Sequence, residues 1–509
     1  MPRANILHDP IPSVLCSFEN PPLYQRIRHP RRRNFQHSII TEFVVNGTNI
    51  LEVNFDIGES YAGLLPISEK VDEPRQLYFW YFVSSNSQAS DGITIWLNGG
   101  PGDSSLEGLL QENGPFLWQF GTFRPVPNPW TWVNLTNVVW VEQPIGTGLT
   151  QGEANAITEE LEKMWPTSSW GSGRILSTRE SFAGVYIPYL ANAMLNAGNE
   201  IYFNLEATMM TDLLINNNAV MRQIPALSFV ENWNRLMYLN NTIMEDIREQ
   251  ANTCGYVSFL EENLTYPPMG LLPTPPTGVE DVVEYYDVWG SILNAALLIN
   301  PCFNIYQITT TCPLLWDTLG FPGTDQYVPT GARIYFNRSD VKGAINAPQV
   351  PWSEASPKTI YNTSTGLSEN LNNNQYPGLT ILPSVIERSK RTLIGHSGLG
   401  YILLQNGSLL TIQNMTWGGK QGFQEPVEDD FYVPYHSAFE VGTLSSAGIV
   451  GKTHTERNLT FFSIALSGHM AYRSLEFLLG RISSLSDKTP FASTSDGLVA
   501  ETPEAFSGW

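Results

Sequence analysis

Two hexapeptides in this 509-residue chain place a serine where a nucleophile could work, GESYAG at 58–63 and RESFAG at 179–184. A serine hydroxyl attacks a carbonyl when a base takes its proton and N–H groups receive the charge that develops on the carbonyl oxygen. Histidines are few, seven in all, and His469 in SGHM follows the apolar stretch NLTFFSIALSG. Candidate N–H donors lie in NGGPGDSS, where Gly99, Gly100 and Gly102 put no side chain between the backbone and a ligand. Serine, histidine and a glycine loop together point to acyl-transfer chemistry.

Order along the chain chooses between the serines. Strands are expected at LYFWYFV (77–83), ITIWL (93–97) and NVVWVEQ (137–143), apolar on both faces as a covered central sheet requires. In an α/β fold of hydrolase type the glycine loop comes first, then the nucleophile on a strand–turn–helix elbow, then the acid, then the histidine. Ser60 precedes the glycine loop, and ESYAGLLPISEK continues through Pro66 without helical periodicity. It is expected to be a turn or strand-end residue. Ser181 follows the short expected strand RILST (174–178) and precedes FAGVYIPYLANAML, whose Val185, Leu190, Ala193 and Met194 share one helical face if Pro188 sits in an early turn. Ala183 and Gly184 suit a tight turn, whereas Arg179 is expected to strain it.

Bulk charge narrows the partners. Asp plus Glu number 49 against 28 Lys plus Arg, a formal net charge of −21, with a pI near 4.7. Such a surface repels nucleic acid and anionic membranes and stays soluble in acid. The basic run RIRHPRRR (26–33) is expected as a solvated or processed leader rather than a nucleic-acid patch. No apolar run reaches the 18 residues of a membrane span. Sequons start at Asn46, Asn134, Asn240, Asn263, Asn337, Asn362, Asn406, Asn414 and Asn458, which suits an extracellular or vacuolar glycoprotein. The amino terminus lacks a signal peptide's apolar stretch, so either a leader is missing from this chain or the protein is cytosolic. Cys254, Cys302 and Cys312 lie close enough for a bridge of undetermined pairing, with Cys16 apart. No His, Cys and carboxylate spacing suggests a metal, and no cofactor is expected. The expected organisation is an extension at 1–35, a first half-core at 36–200, an insertion at 201–379, a second half-core at 380–482 and a loose tail at 483–509.

Five ordered motifs carry a resemblance: WLNGGPGDSSLEGLLQENGPF (96–116), NPWTWVNLTNVVWVEQPIGTG (128–148), ESFAGVYIPY (180–189), PCFNIY (301–306) and SGHM (467–470). Over residues 36–482 the chain resembles the serine carboxypeptidase family of the carboxypeptidase Y type, most of all its fungal secreted members. The resemblance implies an α/β-hydrolase fold, with a mostly parallel central sheet and a largely helical insertion, that removes carboxy-terminal residues from peptides and proteins at acidic pH. By the same resemblance Ser181 is the nucleophile, His469 the base, and the backbone N–H groups of Gly100 and Phe182 the oxyanion donors. Asn98, Gly99, Glu112 and Glu180 would hold the substrate's terminal carboxylate. Carboxylates crowded in a partly dry site cannot all ionise, so at least one keeps a proton and donates it to the substrate.

Departures from the family pattern cluster at the chemistry. The triad aspartate falls on Gly400 in TLIGHSGLGYILLQNGSLL (392–410), and the next carboxylates, Glu425, Glu428, Asp429 and Asp430, are too far along the chain for a local shift. Losing that acid typically costs about 10⁴-fold in kcat. Asp103 replaces a cysteine of the glycine loop, residues 157–178 look shortened, and GHMAYRSLEFLLGRI runs straight from His469 into an expected helix bearing Leu475, Leu478 and Leu479. Impaired activity is therefore expected. A non-catalytic homologue that binds peptide C-termini and an acyltransferase are the rival readings. If Glu112 or Glu180 shares a proton with the substrate carboxylate, Glu112→Gln or Glu180→Gln flattens the pH dependence of KM; an unchanged profile would remove that role.

Overall fold

The computed structural model describes residues 40–68, 70–86, 92–153, 174–199 (174–180 as backbone alone), 203–276, 286–320, 333–357, 376–433 and 448–471. The chain divides into two units, Met1–Glu42 and Phe43–Trp509, and the architecture below belongs to the second. In chain order the strands are β1 (Val44–Val45), β2 (Ser60–Pro66), β3 (Gln76–Phe82), β4 (Gly92–Leu97), β5 (Phe116–Leu117), β6 (Val126–Pro127), β7 (Asn137–Val141), β8 (Arg174–Glu180), β9 (Asn204–Thr211), β10 (Arg391–Ser397), β11 (Thr416–Trp417), β12 (Lys420–Gln421), β13 (Asp429–Val433), β14 (Gly448–Glu456) and β15 (Leu459–Ile464). Eleven of them form one sheet in the order β1-β2-β3-β7-β4-β8-β9-β10-β15-β14-β13.

Six central strands, β7, β4, β8, β9, β10 and β15, run parallel, while β1–β3 at one side and β13–β14 at the other are antiparallel. Parallel strands are covered on both faces, which is why they read as unbroken apolar runs. All five positions of β7 are buried, and Ile95, Trp96 and Leu97 of β4 are buried beside them. The three strands expected in the amino-terminal half correspond to β3, β4 and β7, ending within two residues of their expected bounds.

One boundary moves. The stretch expected as the start of the insertion, from 201, contains β9, a central strand paired on both sides in parallel. Its sequence NLEATMMT carries Glu206 and two threonines, so it lacks the apolar run that marked the other strands, yet Ala207, Thr208, Met209, Met210 and Thr211 are all buried. The helical insertion begins after it. Its longer helices among the described residues are Ala226–Met237, Asn241–Thr253, Tyr256–Asn263 and Val288–Ile299. Asn240 and Asp287 start the second and fourth by accepting backbone N–H bonds from Ile243 and Gly290, at 3.0 and 2.9 Å.

The insertion grips the loop that follows β10. Val230, Ile247, Phe259, Val288 and Ile292 share an apolar cluster with Leu399, Tyr401 and Leu404. Trp289 stacks on Tyr401 with ring centroids 5.1 Å apart, its indole N–H donates to the Tyr401 carbonyl, and the Tyr401 hydroxyl donates to the Trp289 carbonyl, both at 2.9 Å. Cys302 and Cys312 form a disulfide within the insertion, Cys254 is buried, and Cys16 lies outside the described residues. The basic run at 26–33, the segment 157–173, the expected helix after His469 and the tail at 483–509 also lie outside them.

Behind β8, helix Ala183–Ala197 packs its buried Val185, Leu190, Ala191 and Met194 toward the sheet; Ala193, expected on that face, is only half-buried because Ala191 takes the inward position. Pro188 is accommodated in the second turn. Gly184 closes the packing, since a Cβ there would lie 2.7 Å from Leu213 Cβ and 2.9 Å from the Leu214 nitrogen. Gly184→Ala is therefore expected to cost about 1–3 kcal/mol of folding free energy by overpacking, read by chemical denaturation; a neutral effect would show that the helix can slide off the sheet.

Candidate active site

Topology separates the two serines. Ser60 opens β2, which runs in the same sense as the parallel strands because β2–β3 and β3–β7 are both antiparallel. It therefore lies at the amino-terminal edge of the sheet. Ser181 follows the last residue of β8 and so lies at the opposite, carboxy-terminal edge, one residue from the N-cap Phe182 of helix Ala183–Ala197. Its φ is 65°, a left-handed value that a non-glycine residue holds at a cost of roughly 1–3 kcal/mol. Three backbone bonds hold it there. The Ser181 N–H donates to the Thr211 carbonyl at 3.1 Å, and its carbonyl accepts from Gly184 and Leu214 at 2.9 and 3.0 Å. Phe182 is buried, its ring edge-on to Tyr186. Glu180 reaches the same edge through backbone pairing with Thr211; its side chain and that of Arg179 lie outside the described ones.

The glycine loop leaves the neighbouring strand β4 at this edge. The Gly99 carbonyl accepts from the N–H groups of Gly102 and Asp103 at 3.0 and 3.2 Å, a turn that needs φ of 103° at both Gly100 and Gly102. Asn98 is buried and already engaged: it accepts from the Trp96 indole at 2.5 Å, donates its amide to Glu107 at 3.2 Å, and its backbone N–H donates to Ser105 Oγ at 2.9 Å. Glu112 is buried on the turn Leu109–Asn113. Asp103 keeps part of its surface in solvent, yet burial of its carboxyl pushes it up to about 6. Burial therefore favours the neutral form of the Asp103 carboxyl within the glycine loop.

What fastens this loop escaped the sequence reading. Glu142 and Gln143 end the β7 run NVVWVEQ; Glu142 accepts from Ser104 Oγ at 2.7 Å, from the Ser105 N–H at 3.1 Å and from the Trp352 indole at 3.3 Å. Gln143 donates to the Asn98 carbonyl at 3.1 Å. Complete burial pushes the Glu142 carboxyl up to about 7, against the pull of those donors. Two polar residues closing an otherwise apolar strand were the available signal.

His469 is buried in the loop after β15, anchored by its N–H to the Tyr306 carbonyl at 2.7 Å, with the Tyr306 ring edge-on at 5.3 Å. Neither ring nitrogen has a hydrogen-bond partner among the described residues. Burial pulls the imidazole down to about 4; the Asp212 carboxylate opposes this, and His396 and Arg222 add to it. Gly400 sits against it, where a Cβ would lie 3.3 Å from the His469 nitrogen and 3.4 Å from its Cα. The loop that the resemblance assigns to the acid is therefore beside the histidine, and it carries no carboxyl. Asp212, after β9, was not foreseen. Its segment TDLL shows no motif, and only strand pairing brings it to this edge.

The order of the loops at this edge, glycine turn, strained serine, Gly400 loop and histidine, matches a known family along most of the chain. A family model described as serine carboxypeptidase matches residues 52–165 and 172–477. The chain belongs to the serine carboxypeptidase family. The family match breaks at 166–171, inside the stretch expected to be shortened. Among relatives, a protein described as "Probable serine carboxypeptidase" from Arthroderma benhamiae is 49% identical over 472 residues, covering 87% of each chain. "Serine-type carboxypeptidase F" of Aspergillus niger is 41% identical over 462 residues, covering 85% of this chain and 86% of its own. The fold is that of a prohormone-processing carboxypeptidase from Saccharomyces cerevisiae, with a TM-score of 0.63 at 21% identity, over 90% of this chain and 98% of that one. It is an α/β-hydrolase fold, and no helix among the described residues is long and apolar enough to cross a membrane.

Sequon exposure varies. Asn46, Asn240, Asn337 and Asn458 are exposed, Asn134, Asn263, Asn406 and Asn414 half-buried, and Asn362 lies outside the described residues. The Asn337 side chain is occupied, accepting from the Trp352 N–H at 2.7 Å and donating to its carbonyl at 2.6 Å.

A carboxyl raised from 4.5 in the unfolded chain to about 7 in the folded one stabilises the carboxypeptidase most below pH 4.5 and loses that contribution as pH rises through 7. Relative to Glu142→Gln, the wild type is expected to lose on the order of 3 kcal/mol or less between those limits, measured by denaturant unfolding of both proteins across the range. Parallel pH profiles would show that Glu142 stays ionised in the folded protein.

Proposed function

We propose that this chain is a serine-type carboxypeptidase that hydrolyses the C-terminal residue from peptides at acidic pH. One observation carries the reading: Ser181 is held at φ 65° on a strand–turn–helix elbow, at the same sheet edge as the glycine turn and His469. Ser181 attacks the scissile carbonyl, and the His469 imidazole takes its proton and returns it to the leaving amine. The N–H groups of Gly100 and Phe182 receive the oxyanion, with Phe182 placed one residue after the nucleophile as that role needs. Asn98, Gly99, Glu112 and Glu180 receive the substrate's free carboxylate, and Asn98 arrives there already fixed by Trp96 and Glu107. The acidic surface and the exposed sequons favour an extracellular or vacuolar setting.

Acid operation follows from the same burial that hides the base. His469 is neutral, and able to accept a proton, down to about pH 4. With Gly400 offering no carboxyl, turnover is expected to fall below that of an enzyme with a complete triad. Ser181→Ala should abolish both peptide hydrolysis and labelling by a fluorophosphonate, while Ser60→Ala leaves both unchanged. The acid limb of kcat/KM should have its midpoint near pH 4, from an imidazole faced by Asp212, His396 and Arg222. A folded wild-type protein that binds peptide C-termini without reacting at Ser181 would instead make it a binding homologue.

A further inference from the structure

Asp212 is a carboxylate that its own surroundings do not explain. It follows the last residue of β9, between the serine-bearing β8 and β10 with its Gly400 loop. Its φ is 45°, in the left-handed region, held by its N–H donating to the Gly395 carbonyl at 2.9 Å. The residue is fully buried. One oxygen, Oδ1, accepts from the Ser397 N–H at 3.0 Å and from Ser397 Oγ at 2.6 Å, and His396 Nδ1 lies 3.1 Å from it. That imidazole is turned off the line of a hydrogen bond and spends its other nitrogen on Ser408 Oγ at 2.9 Å. The second oxygen, Oδ2, has no hydrogen-bond partner among the described residues. Buried carboxylate oxygens without partners are rare and costly, and so are non-glycine residues at positive φ. Here both coincide at one residue on the reactive edge of the sheet.

Another buried group at that edge is His469, neither of whose ring nitrogens has a hydrogen-bond partner among the described residues. Ser397 links the two. Its Oγ binds Asp212 and also lies 2.9 Å from the point where a Cβ on Gly400 would stand, which is itself 3.3 Å from the backbone nitrogen of His469.

We infer that Asp212 serves as the positioning carboxylate for His469, supplying from the end of β9 what Gly400 no longer supplies from the loop after β10. The Asp212 charge also opposes the burial that otherwise disfavours the imidazolium. During acylation the Ser181 proton moves to His469 and then to the leaving amine; Asp212 takes no proton and holds the ring through its tautomer and charge. This inference rests on the Ser181–His469 reading above.

Asp212→Asn tests it with little damage to the fold, because the Asn carbonyl oxygen can still accept both Ser397 bonds. The expected result is a fall of at least tenfold in kcat and in the rate of fluorophosphonate labelling at Ser181, with KM within about twofold and the thermal midpoint nearly unchanged. Asp212→Asn combined with Gly400→Asp should recover much of the labelling rate, since it returns one carboxylate to the imidazole without crowding two. Wild-type labelling rates in a folded Asp212→Asn protein, or a loss that the double variant does not reverse, would overturn the role of Asp212 while leaving the nucleophile reading intact. Absence of labelling in the wild type itself would remove both. If Asp212→Asn does not fold, ¹⁵N NMR of the wild-type imidazoles decides. A slowly exchanging Nδ1 proton on His469 supports the assignment, and a His469 with that nitrogen unprotonated refutes it.

Discussion

Parallel strand direction is the constraint on which the rest depends. Because β4, β8, β9, β10 and β15 all point the same way, the loops that leave them converge on one edge. Residues 98, 181, 212, 400 and 469 thus gather at one edge although several hundred positions separate the first from the last. Hydrogen bonds between adjacent strands fix their relative heights, so each loop starts from a rigid support. The elbow can then hold Ser181 at an unfavourable φ, since Thr211, Gly184 and Leu214 bind it from the adjacent strand end and from its own helix. Ser60, in a nearly identical hexapeptide, begins a strand instead of ending one and lies at the opposite edge.

Burial of acids at this edge gives the molecule its chemical character. Glu142 fastens the glycine loop from within a dry pocket and is neutral over the acid range, and Asp103 behaves likewise to a lesser degree. Neutral carboxyls beside the glycine loop add no negative charge to this edge. The same dryness depresses His469, so this imidazole stays neutral where most histidines are already protonated. A surface carrying 49 acidic against 28 basic residues suits such a medium, in which part of that charge is neutralised.

The helical insertion contributes more than a cover. Through Trp289 it clamps Tyr401 by stacking and by two reciprocal hydrogen bonds, and Tyr306, which anchors the His469 backbone, lies in the same excursion between Cys302 and Cys312. The position of the histidine is therefore set jointly by the sheet and by the insertion. The Gly400 loop packs directly on this support, where an added Cβ would meet Ser397 Oγ at 2.9 Å and the His469 backbone at 3.3 and 3.4 Å.

Much of this was legible in the chain. Apolar runs marked β3, β4 and β7, chain order singled out Ser181 over Ser60, and five motifs led to the family. These signals are local or ordinal, and a linear sequence preserves both. Its limits were physical as well. β9 hid among threonines and a glutamate because its burial comes from neighbours on both sides rather than from its own composition. Glu142 looked like the polar end of a strand until Ser104, Ser105 and Trp352 closed on it. Asp212 carried no motif, and the distance along the chain from Asp212 to Gly400 says nothing of their proximity. Residue identity and order thus determined which chemistry the chain could attempt. The pairing of strands remote in sequence decided which loops share an edge with the histidine, since proximity across a sheet is set by register and not by sequence separation.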